Sequence, residues 1–153
     1  MTADHAESDE AGYLVAPADW PGDEAAIRSI RDAVFVRELG IPAALEWDGL
    51  DGDCAHLLAY DMAGNPIGTA RMQADGHIGR MAVLSDWRGR GVGGALLLML
   101  IDLAAAHGLG EVFLDAQSSA AGFYHRHGFI AAGDEFEAAG IPHIRMSRFT
   151  GEP

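Results

Sequence analysis

Apolar residues recur along this chain with two different periods, and each change of period marks an element. Tyr13 to Ala16 reads as a short strand. Pro21-Gly22-Asp23-Glu24 then opens a helix whose first turn carries the acids its dipole favours, and Ile27, Ile30 and Val34 follow at helical spacing. The helix fades near Leu39-Gly40-Ile41-Pro42, and the acidic, aromatic segment Glu46 to Asp53 has the glycines of a loop. Three strand-like runs follow, Ala55 to Asp61, Ile67 to Gln73 and His77 to Leu84, joined by segments of turn chemistry, and they predict an antiparallel meander. Ala95 to Ala106 is so apolar, apart from Asp102, that as a helix it must be covered on most of its surface. Beyond it come a strand over Glu111 to Ala116, a short helix over Ser118 to His127 closed by Gly128, and two final strands, Phe129 to Phe136 and His143 to Phe149. This order predicts a mixed sheet with helices on both faces.

At 153 residues, 49% hydrophobic and 22% charged, the chain is sized and composed for one globular domain. We expect that domain over residues 13–150, after a flexible acidic tail at 1–12 that has little to bury. The longest apolar stretch, Val92 to Ile101, is about half of the ~20 residues a bilayer span requires, and the first dozen residues lack the pattern of an export signal. One cysteine, Cys54, leaves no internal disulfide to form; these features point to a cytoplasmic protein with no membrane partner.

The net charge of -13 arises from 23 acids against ten arginines, with no lysine, and the acidity is concentrated before residue 54. A field of this sign opposes nucleic acid and mildly favours cationic partners. Between Gly76 and Gly94 the balance reverses, because Arg80, Arg88 and Arg90 face Asp86 alone. An anionic ligand is expected there.

That island contains Arg88-Gly89-Arg90-Gly91-Val92-Gly93-Gly94-Ala95, placed before the long apolar helix. The first amides of a helix lack intrahelical acceptors, and glycines let a ligand approach them, so phosphate oxygens are natural partners. The bland alternative is a turn that merely reverses the chain. Gly89, Gly91 and Gly94 also satisfy the dinucleotide fingerprint, with Asp115 at the expected remove, although Ser85 to Arg88 separate the strand from the first glycine. A lysine-bearing P-loop is excluded.

Arg88 to Gly93 matches the Q/R-x-x-G-x-G/A signature of the GNAT superfamily of N-acetyltransferases, which this chain resembles from about residue 13 to 149. Ile78 to Leu84 looks like the family's fourth strand, Val112 to Gln117 like its fifth, and Ala121-Gly122-Phe123-Tyr124 with Gly128-Phe129 like the following helix and its exit. Val34-Phe35-Val36, Glu46-Trp47-Asp48, Ala55-His56-Leu57-Leu58 and Gly140-Ile141-Pro142-His143 resemble the YjcF-like branch. The resemblance implies the GNAT fold, an α/β (α+β) architecture with a mixed, mostly antiparallel central sheet of six to seven strands and helices on both faces. It also implies transfer of an acetyl group from acetyl-CoA to a primary amine, on a small molecule or a lysine side chain of a peptide, by direct attack in a ternary complex. Acyltransferases of this type are often dimers; the sequence leaves the oligomeric state open.

The resemblance assigns the pyrophosphate to Arg88, Gly89, Arg90, Gly91, Val92, Gly93 and Gly94, with Phe123 beside them, and the pantetheine arm to the backbone of Met81, Ala82 and Val83, with Gln117 adding a hydrogen bond. Tyr124 fits the general acid, since a phenol titrating near ~10 is protonated at neutral pH and can supply the proton that a departing thiolate takes up. For the base the candidates are Glu46, His77 and His143, with Asp48, Asp51 or a chain of waters as alternatives; spacing singles out none. His125 and His127 fall on different helical faces and Cys54 beside His56 reads as a small buried thiol, so no metal is expected. Leu39 and Ala138 stand where the branch tends to carry polar residues, at positions expected to border the acceptor pocket. Two rivals therefore remain: a non-catalytic acyl-CoA-binding regulatory module, and a dinucleotide-binding oxidoreductase.

Overall fold

A computed structural model describes residues 12–151, so the expected acidic tail lies outside the described residues except for Gly12. Eight strands run in chain order as β1 (Tyr13–Ala18), β2 (Ala55–Asp61), β3 (Pro66–Met72), β4 (His77–Val83), β5 (Glu111–Gln117), β6 (Ile130–Ala131), β7 (Phe136–Ala138) and β8 (Ile141–Phe149). They form one sheet in the order β1-β2-β3-β4-β5-β8-β6, with β7 paired to β8, and every pairing is antiparallel except β4 with β5. The meander over β2 to β4 stands as the hydrophobic pattern predicts. β1 continues through Pro17 because it is an edge strand, where a missing N–H costs the ladder nothing.

The count exceeds the expected six to seven because the run Phe129 to Phe136 is not one strand. Phe129 is its buried anchor, whereas every residue from Ile130 to Phe136 is exposed. With no inward face to hold Ala132-Gly133-Asp134 in a ladder, the segment breaks and re-forms as β7, which returns to β8 through Ala139 and Gly140, both at positive φ (54° and 75°).

The helices are α1 (Glu24–Arg31), extended by a π-helical segment over Asp32–Glu38, then α2 (Ala43–Glu46), α3 (Val92–Ala106) and α4 (Ala121–Arg126). α1 and α3 cover opposite faces of the sheet. Along β2 the faces alternate: Leu57 and Ala59 join the core beneath α3, and Leu58 joins Ile27, Ile30, Val34 and Phe35 beneath α1. Leu96, Leu97 and Leu100 of α3 are fully buried, each worth roughly 2 kcal/mol of burial, which makes this helix the spine of the larger core. Among the described residues no helix is long and apolar enough to cross a membrane.

Two irregularities open the sheet at its centre. The parallel β4–β5 pair holds register at His77↔Phe113 and Ile78↔Leu114 and nowhere beyond, while β5 stays paired to β8 along its whole length. In the same stretch the β3–β4 register slips: Arg71 faces Gly79 and Thr69 faces Ala82, so Arg80 and Met81 together oppose Ala70. This bulge puts Arg80 at φ 47°, and the added twist carries the rest of β4 away from β5.

Candidate active site

Gly91 caps α3 in the left-handed conformation at φ 90°, and the first hydrogen bond at this end of the helix runs from the Ala95 N–H to the Gly91 carbonyl, 3.0 Å. The amides of Val92, Gly93 and Gly94 therefore precede the ladder and point out of the helix mouth, where the dipole favours an anion. A Cβ on Gly91 would stand 3.2 Å from the Tyr13 hydroxyl, and one on Gly94 would stand 3.0 Å from Nε2 of His127. At Gly93 it would stand 3.5 Å from Phe123 and 3.9 Å from Val83, in the space between the end of β4 and α4.

The arginines of the positive island are not gathered at this mouth. Arg88 is held by both carboxylate oxygens of Glu38, at 2.6 and 2.7 Å, and its Nε donates to the Val83 carbonyl at 2.9 Å. Arg90 stacks over Trp87 with its guanidinium carbon 4.1 Å from the ring centroid. Arg80 turns toward the carboxylates of Glu46 and Asp48 instead. Anion affinity here rests on main-chain amides, and the positive charge expected from the sequence is largely spent on internal partners.

Where β4 and β5 part, a cavity of about 410 Å³ opens. Met81, Gln117, Tyr124, Glu46, His77 and His143 all line it, so residues from four distant segments of the sequence converge on one space. Ala138 lines it as well; Leu39, 37% exposed, does not. Phe35, Ile41, Phe136, Arg80 and Asp115 are among the other residues of the wall, and the sequence pattern assigns none of them to an acceptor site.

Tyr124 sits on α4 with Phe123 and Phe129 edge-on, ring centroids 5.0 and 5.9 Å away. Burial pushes its phenol up to about 12, and its hydroxyl has no hydrogen-bond partner among the described residues. It is a protonated donor facing the cleft.

The three base candidates have different surroundings. Nδ1 of His143 lies 2.7 Å from the carbonyl of Ile141, a contact that requires Nδ1 to carry a proton, so in the neutral tautomer Nε2 is the acceptor. His77 stacks on Phe113, with Nδ1 3.4 Å from the Gln73 amide nitrogen and Nε2 3.6 Å from Asp115; burial lowers its pKa. Both of its nitrogens thus face fixed partners. Glu46 is 2% exposed, and its Oε2 lies 2.7 Å from Nε of Arg31 and 3.2 Å from Nε of Arg80. Burial pushes Glu46 up, against the arginines.

Glu46 belongs to a buried cluster that replaces the expected acidic loop. Arg31, on the last turn of α1 and 1% exposed, pairs with Glu46 and Asp51; Arg71 of β3 pairs with Asp51 and Asp48; Arg80 closes the ring between Asp48 and Glu46. Hydrogen bonding to Arg71 holds Asp48 well below the usual carboxylate range. For Asp51, burial works upward, yet Arg31 and Arg71 still bring it down.

The remaining sequence candidates fall elsewhere. Asp115 is not a ribose ligand beyond a phosphate turn: it lies within β5, bound by Arg145, and eight residues separate the end of β4 from α3. The dinucleotide fingerprint is met in letters but not in geometry. The Cys54 thiol, raised by burial, donates to the Leu50 carbonyl, and His127 contacts the Phe123 carbonyl through Nδ1. Among the described residues no three His, Cys, Asp or Glu side chains are grouped as metal ligands would be.

This architecture, a sheet parted between a bulged β4 and a parallel β5 with bare helix amides at the opening, defines a class of acyltransferase. The family model described as the acetyltransferase (GNAT) domain matches residues 37–149, and the chain belongs to that family. It is 37% identical to the uncharacterized N-acetyltransferase YjcF of Bacillus subtilis over 123 residues, which is 78% of this chain and 87% of that protein. Among solved structures, an acyl-CoA N-acyltransferase from Pseudomonas aeruginosa superposes with a TM-score of 0.77 at 33% identity, and Escherichia coli ElaA with 0.77 at 29%; each comparison covers 89% of this chain and 97% of the other.

Proposed function

We propose that this acyltransferase moves an acetyl group from acetyl-CoA to a primary amine by direct attack within a ternary complex. The observation that carries the reading is the parting of β4 from β5 over a cavity lined by Met81, Gln117, Tyr124 and His143, with the open amide end of α3 at the end of β4, where Gly93 faces Val83 and Phe123. The residues present fit the donor. Amides of Val92 to Gly94, backed by the dipole, suit its diphosphate, and the parted strands leave the main chain of Met81 and Ala82 and the side chain of Gln117 to align its arm.

When bound, acetyl-CoA supplies an activated thioester. Within the cleft, Nε2 of His143 accepts the proton that the amine must lose as its nitrogen bonds to the carbonyl carbon. Tyr124 delivers a proton to sulfur as the carbon–sulfur bond breaks, so the amide and the free thiol leave together and the two side chains return to their starting states through solvent. Asp115 and Phe113 hold His77 in place beside the site, and Glu46, committed to Arg31 and Arg80, acts as structure rather than as base.

The test is thiol release from acetyl-CoA across a panel of amines, aminoglycosides and peptides, run beside calorimetry of acetyl-CoA binding. Acetyl-CoA bound with no amine-dependent thiol release would favour the non-catalytic binding module, to which the apolar Ala138 in the cavity wall lends support. Failure to bind acetyl-CoA would overturn both readings.

A further inference from the structure

The acceptor side of the cavity holds one arginine whose geometry the chemistry above leaves unused. Arg80 occupies the bulge of β4 at φ 47°, a left-handed conformation that costs a side-chain-bearing residue roughly 1–2 kcal/mol, so something in the fold compensates for keeping an arginine there. Its guanidinium is anchored on one edge only. Nε lies 3.2 Å from Glu46, and Nη2 donates to Asp48 at 3.1 Å and to the carbonyls of Glu46 and Leu45 at 3.2 and 3.3 Å. Nη1 has no acceptor among the described residues.

The contrast with the other two arginines of the cluster is informative. Arg31 uses Nε, Nη1 and Nη2 on protein acceptors, and its side chain is 1% exposed; that of Arg71 is 4% exposed. Arg80 is 28% exposed and lines the cavity. It is therefore the cavity-lining arginine of the cluster with a donor nitrogen, Nη1, left for a ligand, and its Nε and Nη2 bonds hold it so that little rotamer freedom is lost on binding. Nη1, fixed in place by the bonds on Nε and Nη2, suits a single charge-assisted hydrogen bond to one carboxylate oxygen. Asp115, its carboxylate held by Arg145, lines the same space, and Phe35, Ile41 and Phe136 supply apolar wall.

We infer that the acceptor is an amine that also carries a carboxylate, of amino-acid type with an apolar side chain, and that Arg80 is the residue that reads the carboxylate. This rests on the acyl-transfer reading above and narrows it. An acceptor with positive charge alone would leave the Nη1 edge of Arg80 desolvated and unmatched.

Thiol release by the wild-type protein from acetyl-CoA, measured with apolar amino acids, their carboxamides and their decarboxylated amines, tests this directly. The expected result is a kcat/KM at least tenfold higher for the amino acid than for either counterpart, and collapse of that ratio to about one in Arg80→Gln with acetyl-CoA affinity within twofold. The wild-type comparison does not depend on the variant folding. Turnover of the carboxamides or plain amines equal to or better than that of the amino acids, or a preference that survives in folded Arg80→Gln, would overturn the inference and leave acyl transfer intact. Absence of thiol release with every amine, despite bound acetyl-CoA, would instead remove the acyl-transfer reading beneath it.

Discussion

Arg88 and Glu38 are joined by two parallel hydrogen bonds of 2.6 and 2.7 Å, which tie the loop before α3 to the π-helical end of α1 across fifty residues of sequence. Arg88 lowers the Glu38 carboxyl below its ordinary value of 4.5, so the pair stands at neutral pH and is lost only as pH falls through that lowered value. While it stands, the guanidinium is withheld from the diphosphate site proposed above. Glu38→Gln frees it, and the KM for acetyl-CoA should fall about two- to fivefold at low salt, with the gain shrinking as ionic strength rises. A raised KM would mean that the pair holds the loop in its binding shape.

Tyr124 should contribute to turnover and not to donor affinity. Tyr124→Phe is expected to lower kcat by roughly 10²-fold or more, the scale of a lost general acid, with calorimetric affinity for acetyl-CoA unchanged. Because burial pushes the phenol up to about 12, the wild-type enzyme should show no basic fall in kcat from this group below roughly pH 11. An unaltered rate in Tyr124→Phe would take the hydroxyl out of the chemistry.

For His143 the decisive feature is the fixed tautomer. With Nδ1 bound to the Ile141 carbonyl, Nε2 is the acceptor, and His143→Ala should lose roughly 10²-fold in kcat and recover part of it with added imidazole. His77→Asn, by contrast, should shift KM for the amine more than kcat. The reverse pattern would exchange the two roles.

Gly91 and Gly93 separate folding from binding. At φ 90° with the Tyr13 hydroxyl 3.2 Å from its missing Cβ, Gly91 should cost about 1–2 kcal/mol on replacement by alanine, read as a lower Tm with or without ligand. Gly93 has no such backbone demand. Gly93→Val should fold with nearly unchanged Tm and lose acetyl-CoA binding, because its methyls enter the space between Val83 and Phe123.

Much of this was legible in the residues themselves. The strand-like runs from Ala55 to Leu84, parted by turn residues, predict three antiparallel strands, and the glycines before Val92 mark the helix mouth; Tyr124, singled out by the motif around it, lines the cavity. The acidic segment was not legible, since its charges are silent about partners until Arg31, Arg71 and Arg80 arrive from three other elements. The pairing of Arg88 with Glu38 was hidden for the same reason. Strand breaks at Ala132 to Asp134 depend on an absent inward neighbour, which no local pattern records.

The buried cluster yields the largest predicted change in stability. Arg31 is enclosed with the carboxylates of Glu46 and Asp51, and Arg31→Met would leave both in a low-dielectric setting with one cation each, from Arg80 and Arg71 respectively. Removing one partner from such an assembly costs roughly 3–5 kcal/mol, about 10 °C in Tm for a domain of this size. The acid dependence follows from the lowered carboxyls: Asp48 and Asp51 stabilise the fold fully above their ordinary value of 3.8 and progressively less as pH falls through their lowered folded values. Glu46, raised by burial, acts in the opposite sense and gains from protonation. Thermal melts from pH 7 to 2 should therefore show wild-type stability falling most steeply below about pH 4, and Arg71→Met, which frees Asp48 and Asp51 from their shared cation, should flatten that dependence as well as lowering Tm at neutral pH. An Arg71→Met curve parallel to the wild type would show that the acid response arises elsewhere in the molecule.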